Sequence, residues 1–111
     1  MTTIFEALVD PTRRQILDLI RQRPHMVGEI VDALQISQPL ASKHLRVLRE
    51  VGLVSVRQDA QRRWYELNAE PLLELEAWLK PYRDFIEDRY DRLETLLERI
   101  DAEENKPDDK T

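Results

Sequence analysis

Between Gln38 and Glu50 the chain reads QPLASKHLRVLRE, and its polar members recur at helical spacing. Wound as a helix, the segment gathers Ala41, His44, Leu45 and Leu48 into one stripe, flanked by Leu40 and Val51. The opposite side carries Pro39, Ser42, Lys43, Arg46 and Arg49, with Gln38 at the N-terminal end. A solvated helix face normally mixes acids with bases, yet no acid falls on this side before Glu50. The side chains offered are those that hydrogen-bond base edges and phosphates: Gln to adenine, Arg or Lys to guanine, Ser to either. The N-terminal part of a recognition helix enters the major groove first, which points to Gln38, Ser42 and Lys43 for bases. Arg46 and Arg49, further along, suit backbone phosphates.

A second cationic group brackets a polar tip, Asp59-Ala60-Gln61. Arg57, Arg62 and Arg63, with Gln58, would reach along a DNA backbone or into the minor groove. Exposed tips are often polar for no other reason than exposure, so this group is the weaker signal. The whole chain of 111 residues carries a net charge of −5. Its distribution is uneven: from Pro11 to Tyr65 ten basic residues face five acids, leaving +5 there and −10 elsewhere. A cationic body with an acidic extension suits a surface that binds phosphates.

Other chemistries lack their residues. The absence of cysteine excludes disulfides, thiolate metal sites and thiol redox sensing. Asp84, Glu87, Asp88 and Asp91 share the C-terminal third with no histidine, and carboxylates alone hold transition metals weakly. His25 and His44 read as structural residues, so no metal and no cofactor is expected. No Gly-rich phosphate loop and no nucleophile with a histidine partner is present, which argues against an enzyme. There is no apolar run long enough for a membrane span and no signal-peptide pattern, so a cytoplasmic location is expected.

The elements that would position these side chains can be read from periodicity and caps. Ile4, Phe5, Leu8 and Val9 form a short helical stripe; Asp10-Pro11 starts a second helix that ends at Arg23-Pro24. Val27, Ile30, Val31 and Leu34 mark a third helix, and Ser37 caps the fourth after a turn of only Gln35-Ile36-Ser37. Past Gly52 the period shortens: residues 53–57 and 63–67 predict a β-hairpin. The expected fold is mainly α with a small β-hairpin, a winged helix-turn-helix in the order α-α-α-α-β-β-α with a long last helix.

Three segments follow: a DNA-binding domain over 1–70, a dimerisation helix over 71–101 and an acidic disordered tail over 102–111. Pro81 should kink or split the long helix. Its heptad stripe of Leu72, Leu75, Trp78, Leu79, Tyr82, Phe85, Ile86 and Leu93 exceeds what one small domain can cover. With Ile4, Phe5 and Leu8 it predicts a homodimer that sets two recognition helices on double-stranded DNA.

These residues carry a family likeness. Phe5-Glu6-Ala7-Leu8, Asp10-Pro11-Thr12-Arg13-Arg14, Val27-Gly28-Glu29-Ile30 and above all SQPLASKHLRVLREVGLV from Ser37 to Val54 resemble the ArsR family of bacterial winged-helix repressors. Trp78-Leu79, Tyr82 and Phe85 are similar to a metal-independent branch whose members commonly repress their own operons. The resemblance implies a dimeric repressor acting at an inverted-repeat operator. No effector is indicated. Two positions depart from the pattern: Met26 stands where Ser or Thr usually caps the third helix, and the wing tip lacks the usual Gly. A competing expectation, a winged-helix module that binds protein and not DNA, predicts little salt-dependent affinity for DNA.

Overall fold

The computed structural model describes residues 2–104. Seven elements follow one another: α1 (Ile4–Val9), α2 (Pro11–Gln22), α3 (Val27–Leu34), α4 (Gln38–Glu50), β1 (Val54–Asp59), β2 (Arg62–Leu67) and α5 (Glu70–Glu104). Local chemistry sets most of the boundaries. Thr3 Oγ1 accepts from the Glu6 amide at the head of α1, and Asp10 Oδ1 accepts from the amides of Thr12 and Arg13 at the head of α2. Ser37 Oγ accepts from the Leu40 amide and starts α4, with Pro39 in the first turn where its missing N–H costs nothing.

Helix α3 begins differently. Met26 has no side-chain acceptor to offer, but Glu29 Oε1 accepts from the Met26 amide at 2.9 Å, half of a capping box. Arg23 Nη2 holds the same carboxylate at 2.8 Å. Both contacts, Arg23 first, keep the Glu29 carboxyl below its usual range. The missing hydroxyl is thus replaced by a carboxylate three residues on.

Gln35 adopts the left-handed conformation (φ 55°, ψ 46°) and donates to Val31 O at 2.9 Å, which turns the chain sharply from α3 into α4. Gly52 (φ +81°) does the same between α4 and the hairpin. The antiparallel register runs from Val54 opposite Leu67 to Asp59 opposite Arg62. Ala60 and Gln61 make the two-residue tip, Ala60 at φ 56°. On the far side of β2, Tyr65 and His25 exchange both backbone hydrogen bonds, at 2.8 and 3.1 Å, and tie the α2–α3 loop to the wing.

The chain divides into two compact units between Leu75 and Glu76, inside α5. In the first, Ala7, Ile16, Ile20, Ile30, Ala41, Leu45, Leu48, Leu53, Val54 and Tyr65 form the buried core. Ile4, Leu8 and Leu72, expected at a dimer interface, are half-buried against this core, so part of their apolar surface is spent within one chain. Phe5 remains half exposed.

Among the described residues of the second unit none is buried. Trp78, Leu79, Tyr82, Phe85, Ile86 and Leu93 stay between 42% and 60% exposed along one stripe of α5. Two expectations are corrected here. The segment is one helix and not two, since Pro81 removes a single N–H from a 35-residue ladder without ending it. The helix also runs through Ala102, Glu103 and Glu104, which are good helix formers. The rest of the expected disordered tail, residues 105–111, lies outside the described residues.

Candidate nucleic-acid interface

Helix α4 presents its two faces as its spacing requires. Ala41, His44, Leu45 and Leu48 are buried, while Gln38, Pro39, Ser42, Lys43, Arg46, Arg49 and Glu50 are exposed. At 100° per residue, Pro39, Lys43, Arg46 and Glu50 point straight away from the core. Gln38, Ser42 and Arg49 lie on the flank that turns toward the hairpin, where Ser42 lines two hollows.

The larger hollow, of about 490 Å³, is bounded by Gln38 and Ser42 of α4, Gly28 of α3, and Gln61, Arg62 and Arg63 of the wing. The smaller, of about 200 Å³, is bounded by Ser42, Leu45, Arg46, Arg49, Arg63 and Tyr65. Three guanidinium groups from two elements therefore border one recess. Among the described residues the acids form ion pairs with Arg13, Arg23, Arg57, Lys80 and Arg92, and none pairs with Lys43, Arg46, Arg49, Arg62 or Arg63. A cluster of like charges left without counterions among the described residues favours the approach of anions.

The hairpin register separates the three wing arginines. Residues directly opposite in an antiparallel pair share a face. Arg63 and Gln58 thus lie on the face of Val54, Val56 and Tyr65, toward α4, and the Arg63 guanidinium sits 6.0 Å from the centre of the Tyr65 ring. Arg57 and Arg62 lie on the other face with Ser55, Asp59, Trp64 and Glu66. There Arg57 Nε donates to Glu66 Oε1 at 2.6 Å, and that carboxylate raises the Arg57 pKa. Arg57 is engaged already; Arg63 borders both hollows beside α4, and Arg62 only the larger.

A model of the bacterial regulatory proteins of the arsR family matches residues 10–56, from the start of α2 into β1. The transcriptional repressor SdpR of Bacillus subtilis is 35% identical over 79 residues, which cover 71% of this chain and 88% of that protein. The chain belongs to the arsR family. An arsenical resistance operon repressor of Staphylococcus aureus is also 35% identical, over 61% of this chain and 65% of its own length. Among solved structures, an ArsR family transcriptional regulator superposes with a TM-score of 0.65 at 31% identity, covering 76% of this chain and 87% of that one. A homodimeric winged helix-turn-helix DNA-binding domain from Mycobacterium bovis does so at 0.58 and 33% identity, over 71% and 73%.

Within this arsR-family chain, two arginines of the cationic body prove to be structural. Arg14 Nη1 donates to Leu8 O and Val9 O at 2.6 and 2.9 Å. Arg13 donates to Ala7 O at 2.7 Å and Glu6 O at 3.1 Å. Together they satisfy carbonyls at the C-terminal end of α1, where orphan acceptors and the helix dipole favour cations. Spacing alone did not separate them from the phosphate-binding set, because their partners lie in another helix. The parity that divides Arg63 from Arg57 and Arg62 was, by contrast, available from strand alternation once a register was assumed.

Proposed function

We propose that this chain is a DNA-binding transcriptional repressor that acts as a homodimer, with the outer side of α4 in the major groove. The observation that carries it is the row Lys43, Arg46 and Arg49, exposed and without an acid partner among the described residues, with Arg63 across the recess from Arg46 and Arg49. Gln38, Pro39, Ser42 and Lys43 stand where base edges would be met, and Arg46, Arg49 and Arg63 where phosphates would. Arg62 supplements the wing contact, and Arg57 joins it only by leaving Glu66.

The dimer contact lies along the apolar stripe of α5, helped by Phe5 and by the outer edges of Ile4, Leu8, Leu72 and Leu75. The relative from Mycobacterium bovis, a homodimer, supports pairing of two chains. Two-fold symmetry then predicts an inverted-repeat operator with half-sites about one DNA turn apart, roughly 34–36 Å. The names of the relatives favour regulation over catalysis. A cytoplasmic location follows from the same proposal, because the target is the genome.

The double variant Lys43→Ala/Arg46→Ala tests it. It should keep its helical content and lose operator affinity at least about tenfold, two charge-assisted contacts being removed. Unchanged affinity refutes the proposal. Wild-type affinity should also fall by orders of magnitude between about 50 and 200 mM salt, where a protein-docking module would change little.

A further inference from the structure

Arg13 sits where three helices meet. Beyond its bonds to the carbonyls of Glu6 and Ala7 at the end of α1, its Nη1 lies 3.4 Å from Nδ1 of His44 in α4. The Asp10 carboxylate, which caps α2, lies 4.0 Å from the same nitrogen. His44 is only 7% exposed and belongs to the core-facing side of the helix whose other side carries Lys43 and Arg46. A guanidinium can only donate, so Nδ1 must supply the lone pair and the ring proton must sit on Nε2. This hydrogen bond between α4 and α2 therefore exists only while the imidazole is neutral, whereas their apolar packing does not depend on it.

Resting on the DNA-binding role above, we propose that Arg13 and His44 are positioning residues that form a proton-sensitive latch. With His44 neutral, the latch holds α4 in its DNA-reading position against α1 and α2; with His44 charged, it releases α4.

The surroundings agree with that arrangement. Burial is the largest influence on His44 and holds its pKa below the usual 6.5; Arg13 and Lys43 push the same way, and Asp10 opposes them. Helix α3 and strand β1 also pack on α4, and no charged group from either acts on the ring. Asp10 is held below its ordinary value, chiefly by the Arg13 amide, so it stays charged through the range in which a histidine titrates. Charging His44 places a second cation against Arg13 in a recess that already disfavours one. The guanidinium must then leave either the ring or the α1 carbonyls.

The sign of the effect separates a latch from ordinary electrostatics. Added positive charge on a DNA-binding protein strengthens its hold on phosphates, so acidification should raise affinity. A latch makes affinity fall. The probe is a duplex that the wild-type chain recovers from a random-sequence pool at about pH 7.5, with affinity measured there and at about pH 5.5 at constant ionic strength. Wild type should weaken on acidification, by less than about tenfold, the most that one proton on a group titrating below the usual 6.5 can give over this interval. His44→Gln should show no fall, and His25→Gln should follow wild type. Arg13→Lys, whose single ammonium cannot span two carbonyls and a ring, should be weaker at both values.

Constant or rising wild-type affinity at the lower pH overturns the latch, as does an equal fall in His44→Gln. Nitrogen chemical shifts of the His44 ring in the free wild-type protein give a second measurement that needs neither DNA nor a variant. The Nε2–H tautomer, titrating below ordinary histidine, is expected; an Nδ1–H ring overturns the latch by itself. If no duplex is recovered, DNA binding itself fails, and the ring measurement still judges the Arg13–His44 contact.

Discussion

Ala60 occupies the left-handed region at φ 56° in the two-residue tip of the wing. An L-residue with a Cβ is strained there by roughly 1–2 kcal/mol, whereas glycine is not. Glycine also loses more entropy on folding, which offsets part of the relief. Ala60→Gly should therefore stabilise the chain by about 0.5–1 kcal/mol in denaturant unfolding; a loss of stability would show that the turn does not hold this backbone. The sequence showed a tip without glycine and left its turn type open. A positive φ at alanine cannot be read from residue types, since it follows from the register of the flanking strands. His44 is the opposite case. Its place on the buried stripe was legible from 3.6-residue spacing alone, but its partner Arg13, 31 positions away, was not.

At the scale of elements, caps and periods announced nearly every boundary. Asp10-Pro11, Ser37 and Gly52 each mark a helix end by a mechanism that lies within four residues. Pro81 does not split the helix, because one missing N–H is a local loss and the ladder on either side of it is long. Helix α5 illustrates what a single chain cannot reveal. Its apolar stripe was plain in the heptads, and it remains open along 76–104, so the covering surface must come from elsewhere. Ile86, 48% exposed, lies in the middle of that stripe. Ile86→Asp should leave the first unit folded and shift sedimentation to a single chain, because two charges would be buried without partners at the contact. A variant that still sediments as a dimer would place the contact elsewhere. Operator affinity should fall with dimerisation, since one recognition helix then acts without the other.

Over the whole molecule, nine of the ten bases of the cationic body divide by use. Arg13 and Arg14 close α1, Arg23 holds Glu29 and Arg57 holds Glu66. Lys43, Arg46, Arg49, Arg62 and Arg63 are left at the proposed DNA surface. The count of ten bases thus overstated the number available at the site, because counting cannot see which cations the fold has engaged. Releasing one changes the count in a measurable way. Glu66→Gln should free Arg57 for a phosphate, tighten DNA binding and steepen the log–log salt slope by up to about 0.9 per protomer. An unchanged slope would mean that Arg57 points past the duplex.

The paired amides and carbonyls of Tyr65 and His25 give the wing a third strand at that point, while β2 from Trp64 to Arg62 has a neighbour on one side only. Mechanically the hairpin is a cantilever, clamped at its root and free at its end. Two strands by themselves hold together only marginally in water, so bending will concentrate beyond the clamp. A bend there would carry Arg63, just outside the pivot, through a short arc and Gln61 and Arg62 through a wider one. The inner arginine is thereby suited to fixing a strand of the duplex in place, and the outer residues to following differences in groove width from one site to another.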